Sequence, residues 1–284
     1  MKQQLEDRIK LAGFKYGPEY AATELAEQIL QWTAGSGATG GVVGLSGGID
    51  STTVAFLCKY AFDSYNRENP DKTQLTLLGL IMPSNANNPK DAEDGLRVTE
   101  LLGIVRKIIP LQPIADAFLE QIPEALKNSY DVGNLYAEIR ATVLSRYGGA
   151  LNYRVMGTGN RDEDYVLGYF TKRGDGAVDN NILGNTPKRL VRALASFLGA
   201  PKDLVQRVPT AGLWIGQTDE GELGYNYDQA EIIQNGYDEG KTTEQITKIT
   251  GYDIRIVKNV AFRHKTTEHK RQPPLVGKVT LEYR

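Results

Sequence analysis

Gly44-Leu45-Ser46-Gly47-Gly48-Ile49-Asp50-Ser51 is the stretch whose residue types and order point most directly to chemistry. Its glycines let an anion approach the backbone without a Cβ in the way. Ser46 and Ser51 add hydroxyl donors, and Asp50 offers a hard oxygen ligand suited to Mg²⁺. The stretch follows an apolar run, Gly41-Val42-Val43, and opens a helical pattern from Thr52 to Cys58. A strand, a glycine-rich turn and a helix N-terminus in that order turn N–H groups and the positive end of a dipole toward an anion. A Walker A loop would need a Lys-Ser/Thr pair after its last glycine, which this stretch lacks. An ordinary βα turn is the bland alternative, but the ordered set Ser-Gly-Gly-x-Asp-Ser in this context reads as a nucleotide site.

Two later blocks can meet that loop. Gly157-Thr158-Gly159-Asn160-Arg161-Asp162-Glu163-Asp164 follows a candidate strand. There Thr158 can touch nucleotide, and Glu163 can give Mg²⁺ a second oxygen opposite Asp50. The competing reading is that the three acids merely acidify a helix start, so this block is weak alone. The run from Gly168 to Asp179 is a glycine-rich loop with Lys172, Arg173, Asp175 and Asp179, a description a solvated hairpin also fits.

These segments need a frame to position them. Apolar periodicity predicts a helix ending near Thr33, then a first strand at 41–43 after a glycine-rich break. Further strands are expected at Leu75–Met82, Ile104–Ile109 and Arg154–Gly157. Helices are expected near Lys90–Leu102, Ile114–Ile122 and Asn134–Tyr147, then at Thr186–Leu198, Tyr227–Gln234, Thr243–Thr250 and Asp253–Phe262. Alternating strands and helices imply an α/β fold, a doubly wound parallel sheet flanked by helices, with its site at the carboxyl ends of the strands. No internal repeat or clear linker divides residues 1–284, so one domain is expected.

Composition narrows the classes. The chain has 284 residues, 40% hydrophobic and 24% charged, ordinary for a globular protein. A net charge of −2 gives no global attraction to nucleic acid or anionic membranes, so neither is expected as a partner. The single cysteine, Cys58, excludes an intrachain disulfide and a Cys-rich zinc cluster, and its apolar neighbours favour a buried structural thiol. No signal-like segment and no run of ~18 apolar residues is found, which makes a cytoplasmic location the expectation.

Ser46-Gly47-Gly48-Ile49-Asp50-Ser51 resembles the pyrophosphate loop of the ATP pyrophosphatases, and the later blocks sharpen the likeness. Gly168-Tyr169-Phe170-Thr171-Lys172 with Gly174-Asp175-Gly176, placed after the Gly-Thr turn, resembles ammonia-dependent NAD synthetase. Thr186-Pro187-Lys188-Arg189, Pro209-Thr210-Ala211-Gly212-Leu213, Gly216–Gly224 and Glu268-His269-Lys270-Arg271-Gln272 follow in that family's order. The resemblance implies an adenine nucleotide α-hydrolase-like, Rossmann-like sheet and an amide-forming ligase. The carboxylate of deamido-NAD would attack the α-phosphate of ATP, and ammonia would displace AMP from the acyl-adenylate.

Residue by residue, the resemblance places Gly44, Leu45, Ser46, Gly47, Gly48, Ile49, Asp50 and Ser51 on the ATP phosphates, with Thr158, Lys188 and Thr210 also on ATP. Asp50 and Glu163 would hold Mg²⁺, and Arg140, Lys172, Asp179, His269 and Lys270 would contact deamido-NAD. Asp50, Lys188 and Asp179 are the expected catalytic set. A homodimer is implied, with the N-terminal helices and C-terminal tail contributing to the interface and the substrate site. Glutamine-dependent members carry a further amidase domain with a nucleophilic Cys, for which this chain has no room, so free ammonia is the expected nitrogen source.

Two departures stand out. The family's Ala-Arg-x-Arg reads Ala137-Glu138-Ile139-Arg140 here, so a substrate-contacting Arg has become Glu138 while Arg140 keeps the second position. Gly157-Thr158-Gly159-Asn160 replaces the Gly-Thr-Asp-His of many bacterial members. Two rivals share the sheet: another ATP pyrophosphatase, thiolating tRNA or forming GMP, and a non-catalytic nucleotide sensor. The Phe170–Asp179 block opposes the first, and retention of Asp50, Glu163 and Lys188 together opposes the second. Ser84–Lys90 and Ala211–Tyr227 are the candidate loops to close over a water-sensitive adenylate.

Overall fold

The computed structural model describes residues 13–15, 17–207 and 218–280. Five parallel strands form the centre: β1 (Gly40–Gly44), β2 (Thr76–Ile81), β3 (Val105–Ile108), β4 (Tyr153–Gly157) and β5 (Asn180–Asn181). Their order is β3-β2-β1-β4-β5, so the winding reverses on either side of β1. That reversal leaves a crevice beyond the carboxyl ends of β1 and β4, where the helices on their two sides diverge. Register sets the depth of the crevice: Val43 is level with Met156 and Gly79, and Gly44 with Leu80.

Successive strand residues point to opposite faces, and each face has its own core. Val43, Leu77, Ile81 and Met156 pack with α1 (Pro18–Thr33), α2 (Ile49–Glu68) and α6 (Lys188–Phe197). Val42, Leu78, Leu80 and Val155 pack with α4 (Gln112–Gln121) and α5 (Ser129–Leu151). Because β1 is covered on both sides it reads as a continuous apolar run, not an alternating one. α3 (Pro89–Leu102) starts on an Asn88–Asp91 capping box and lies against α2 and β2.

The expected helices and four longer strands are present, with ends displaced by a few residues. The helix after the glycine loop runs much further than its apolar core, from Ile49 to Glu68. The structure adds β5, whose two residues are too few to carry a period. It also adds a π-turn over Asp162–Leu167 and short helices α7 (Lys202–Val205), α8 (Asp219–Leu223) and α12 (Glu268–Arg271). α9 (Tyr227–Asp238), α10 (Thr243–Thr250) and α11 (Ile254–Thr266) enclose Val166 and Leu167 of the π-turn in a third apolar cluster with Tyr225, Tyr227, Ile233, Ile246, Val257 and Val260. This cluster holds the turn from behind, so Glu163 and Asp164 face the crevice while Asp162 is buried. Among the described residues no helix is long and apolar enough to cross a membrane.

Candidate active site

The first loop has the form its composition predicts. β1 ends at Gly44, Gly47 takes φ +73°, and extended Gly48 caps α2. Only glycine adopts that φ without strain, and a Cβ on Gly47 would lie 2.5 Å from the Asp91 carbonyl oxygen. The Ser46 and Ser51 hydroxyls are 3.2 Å apart, and Gly48 N–H donates to Ser46 Oγ at 3.3 Å. These donors converge on a cleft of about 380 Å³ bordered by β1, β4, the π-turn and α5.

Lys188, the first residue of α6, is 1% exposed. Its ammonium lies 2.6 Å from Asp50 Oδ2 and 2.7 Å from Glu163 Oε1, and 5.2 Å from the Tyr227 ring centroid. Burial works against the charge on Lys188, but the two carboxylates outweigh it and hold its pKa above the ordinary lysine value. Burial pushes the Glu163 carboxyl above the usual carboxylate range; Lys188 opposes the shift and Asp50 adds to it. Two carboxylates therefore share one cation, an arrangement that favours a second positive charge nearby. Asp50 and Glu163 are hard oxygen donors suited to Mg²⁺. Among the described residues no group of three or more His, Cys, Asp or Glu side chains is placed to hold a metal by itself. Mg²⁺ bound here would complete its shell with phosphate oxygens and water, its common habit in nucleotide sites.

Asn160 supports this trio, and sequence reasoning gave it no role. Fully buried, it donates from Nδ2 to Asp50 Oδ1 at 3.0 Å. Its Oδ1 accepts the N–H groups of Asp162 and Glu163 at 3.0 and 3.1 Å, which starts the π-turn. Asp162 Oδ2 in turn accepts the Lys188 N–H at 2.8 Å, tying the turn to α6. Asp164, the third acid, lines the cleft beside Gly159 and accepts from Asn181 Nδ2 at 2.7 Å. Burial pushes its carboxyl up to about 7. A Cβ on Gly159 would meet Asp164 Oδ2 at 2.1 Å, so that glycine makes room for the acid.

The structure brings together only part of the predicted set. Gly44, Leu45, Ser46, Gly48, Ile49, Asp50, Ser51, Thr158, Glu163, Lys188, Arg140 and Lys270 line the cleft, and Gly47 forms the turn beneath it. Arg140 Nη2 donates to Asn87 Oδ1 at 2.8 Å, and burial lowers its pKa. Lys270 donates to the Gly168 and Phe170 carbonyls at 2.9 and 2.7 Å. Lys172 donates to the His269 and Gln272 carbonyls, a use that anchors the C-terminal segment. His269 and Glu138 are exposed and outside the cleft.

Asp179 is also placed elsewhere. Its carboxylate accepts the Val155 N–H at 2.8 Å and borders a shallow groove with Gln31, Trp32, Gly35, Ser36, Arg154 and Asn180. The reason is the β4–β5 ladder, which sets Asp179 level with Val155, short of the strand ends. Thr210 lies outside the described residues. Asp175 and Arg207 were given no role from the sequence, yet both line the cleft. Arg207 stands three residues before Thr210 in sequence, which is the signal that could have marked it.

A switch-point crevice, a glycine-rich anion loop and a buried Lys between two carboxylates define a nucleotide-dependent enzyme of the α/β class. The family model for NAD synthase matches residues 22–274. The chain is 40% identical over 258 residues to the NH(3)-dependent NAD(+) synthetase of Methanocaldococcus jannaschii, covering 90% of this chain and 95% of that one. Among solved structures it is similar to NMN synthetase from Francisella tularensis, with TM-score 0.79, 32% identity and 93% and 100% of the two chains covered. It is also similar to NH3-dependent NAD synthetase from Campylobacter jejuni, with TM-score 0.74, 26% identity and the same coverage. The chain belongs to the NAD synthase family.

Proposed function

We propose that this protein amidates deamido-NAD with ammonia at the expense of ATP, releasing NAD, AMP and pyrophosphate. The observation that carries the reading is the contact of Lys188 with Asp50 and Glu163 at the mouth of the Ser-Gly-Gly-x-Asp-Ser loop. Hydroxide is a poor leaving group, so the nicotinate carboxylate first attacks the α-phosphorus of ATP and pyrophosphate departs. Loop N–H groups and the Lys188 ammonium stabilise the charge that develops on that leaving group. Mg²⁺, held through Asp50 and Glu163, would neutralise phosphate charge and orient the nucleotide. Ammonia then attacks the acyl carbon, AMP leaves with its bonding electron pair, and the nitrogen gives up one proton to solvent to leave the neutral amide.

No side-chain nucleophile is needed in this route. Cys58, fully buried in α2, is held protonated by burial, well above the ordinary thiol range. The reading includes a homodimer and a cytoplasmic location. The dimer follows from the family resemblance, and it agrees with Asp179 and His269, both expected on the substrate, lying outside their own chain's cleft.

A second reading has the mononucleotide, deamido-NMN, as acceptor. It is favoured by the likeness to the Francisella NMN synthetase and by Glu138, an acid where the family resemblance expects a substrate-binding Arg. Purified protein with Mg-ATP, ammonium chloride and either acceptor, assayed for amide product, AMP and pyrophosphate, tests both. Equal yields of AMP and NAD support the main reading. ADP formation, or no ammonia-dependent amide, refutes both, and turnover of the mononucleotide alone selects the second.

A further inference from the structure

We infer that Arg207 is a positioning residue for the anion loop, holding the Gly47–Gly48 peptide in the one orientation that accepts a phosphate. Arg207 Nη1 donates to the Gly47 carbonyl at 3.0 Å and to Asp94 Oδ2 at 2.9 Å, and its Nη2 donates to Asp91 Oδ1. It thus joins the loop to two acids on α3, at a point where Gly47 already presses against the Asp91 backbone. The inference rests on the nucleotide reading of the site.

The consequence follows from peptide geometry. Among the described residues every peptide bond is trans, so the Gly47 carbonyl and the Gly48 N–H point in opposite directions across one plane. Binding the carbonyl therefore aims the N–H the opposite way, and Gly48 N–H is found directed at Ser46 Oγ, a side chain that lines the cleft. Gly-Gly is the dipeptide in which rotation of this plane is cheapest, since neither residue has a Cβ to oppose it. A rotated plane would put a carbonyl oxygen where a phosphate oxygen must sit. Among the described residues no other side chain donates to the Gly47 carbonyl, and Asp91 and Asp94 keep the guanidinium fixed through charge-assisted bonds. The rigid planar fork of Arg reaches three acceptors from two separate nitrogens, whereas the three donors of a Lys ammonium all radiate from one flexible point.

The test compares wild type, Arg207→Met, Arg207→Lys and Asp94→Asn by calorimetric titration with Mg-pyrophosphate and Mg-ATP. The Gly48 amide is followed by ¹⁵N NMR without ligand. Arg207→Met is expected to weaken both ligands by about tenfold or more, the scale of one hydrogen bond to a charged group. Its Gly48 amide is expected to shift or broaden, and Arg207→Lys to recover part of both effects. Asp94→Asn leaves the Gly47 contact in place and is expected to change affinity by less than about threefold. Unchanged affinity and an unchanged Gly48 amide in Arg207→Met overturn the inference, as does an Asp94→Asn loss equal to that of Arg207→Met with an unchanged Gly48 amide. If Arg207→Met does not fold, Arg207→Lys decides: a wild-type amide with wild-type affinity overturns it, and a shifted amide with weaker binding supports it. A wild type that binds neither ligand refutes the nucleotide reading, a different result from either.

Discussion

The Lys188 ammonium and the Asp50 carboxylate, 138 residues apart in sequence, meet at 2.6 Å where the N-termini of α2 and α6 converge. Lys188 is buried by the third apolar cluster behind it, and Asp50 is turned by Asn160 in front of it. Neither orientation is set locally: one depends on the docking of α9, the other on the turn after β4.

Lys188→Met keeps most of the side-chain volume and removes the charge. It is expected to lower kcat by about 100-fold or more, the usual effect of deleting one preorganised stabilising group. Substrate binding should fall much less, which steady-state rates over both substrate concentrations will show. A loss confined to KM for ATP would reassign Lys188 to ground-state binding.

Asp50→Asn preserves the contact with Asn160 through its remaining oxygen but withdraws a charged metal ligand. The rate should then need at least about tenfold more free Mg²⁺ for half-maximal activity. A Mg²⁺ titration at fixed Mg-ATP checks this, and an unshifted midpoint would remove Asp50 from the metal site.

Asp164 predicts a pH effect on stability. Its carboxyl is raised to about 7 in the folded chain, above the ordinary unfolded value near ~3.9. The folded state then holds the extra proton between those values, so this group's contribution to stability is greatest in acid and is lost as pH rises through 7. Asp164→Asn carries no such proton. Between about pH 4 and pH 7, the wild type should lose more than about 1 kcal/mol relative to the variant, one pKa unit's worth. Urea unfolding at several pH values without Mg²⁺ or nucleotide measures the difference, and parallel curves would contradict it.

Glu138→Arg restores the cation expected from the family pattern. Because the position is exposed, the gain is that of a surface ion pair, roughly twofold to fivefold in KM for deamido-NAD. The gain should shrink with added salt while KM for ATP stays fixed. A change in the ATP constant instead would place this residue's influence on the cleft.

Local chemistry wrote much of this protein into its sequence. Glycine spacing, the Ser and Asp of the first loop and the strand–helix alternation are short-range signals, and they determined the parallel sheet, its helices and the family blocks. The placement of Asp50, Glu163 and Thr158 at the cleft was legible because each sits at the end of a regular element, where the fold's geometry leaves little freedom, whereas Lys188 was marked by its family block alone. Tertiary structure decided the rest. Asn160 became the support of Asp50 through packing across 110 positions, and Arg207 reached Gly47 across 160. Asp179 went to a separate groove because a two-residue strand, invisible to any periodicity, fixed its level against Val155. A chain's pattern records which face of an element is buried; which polar side chains then meet depends on how the buried faces stack.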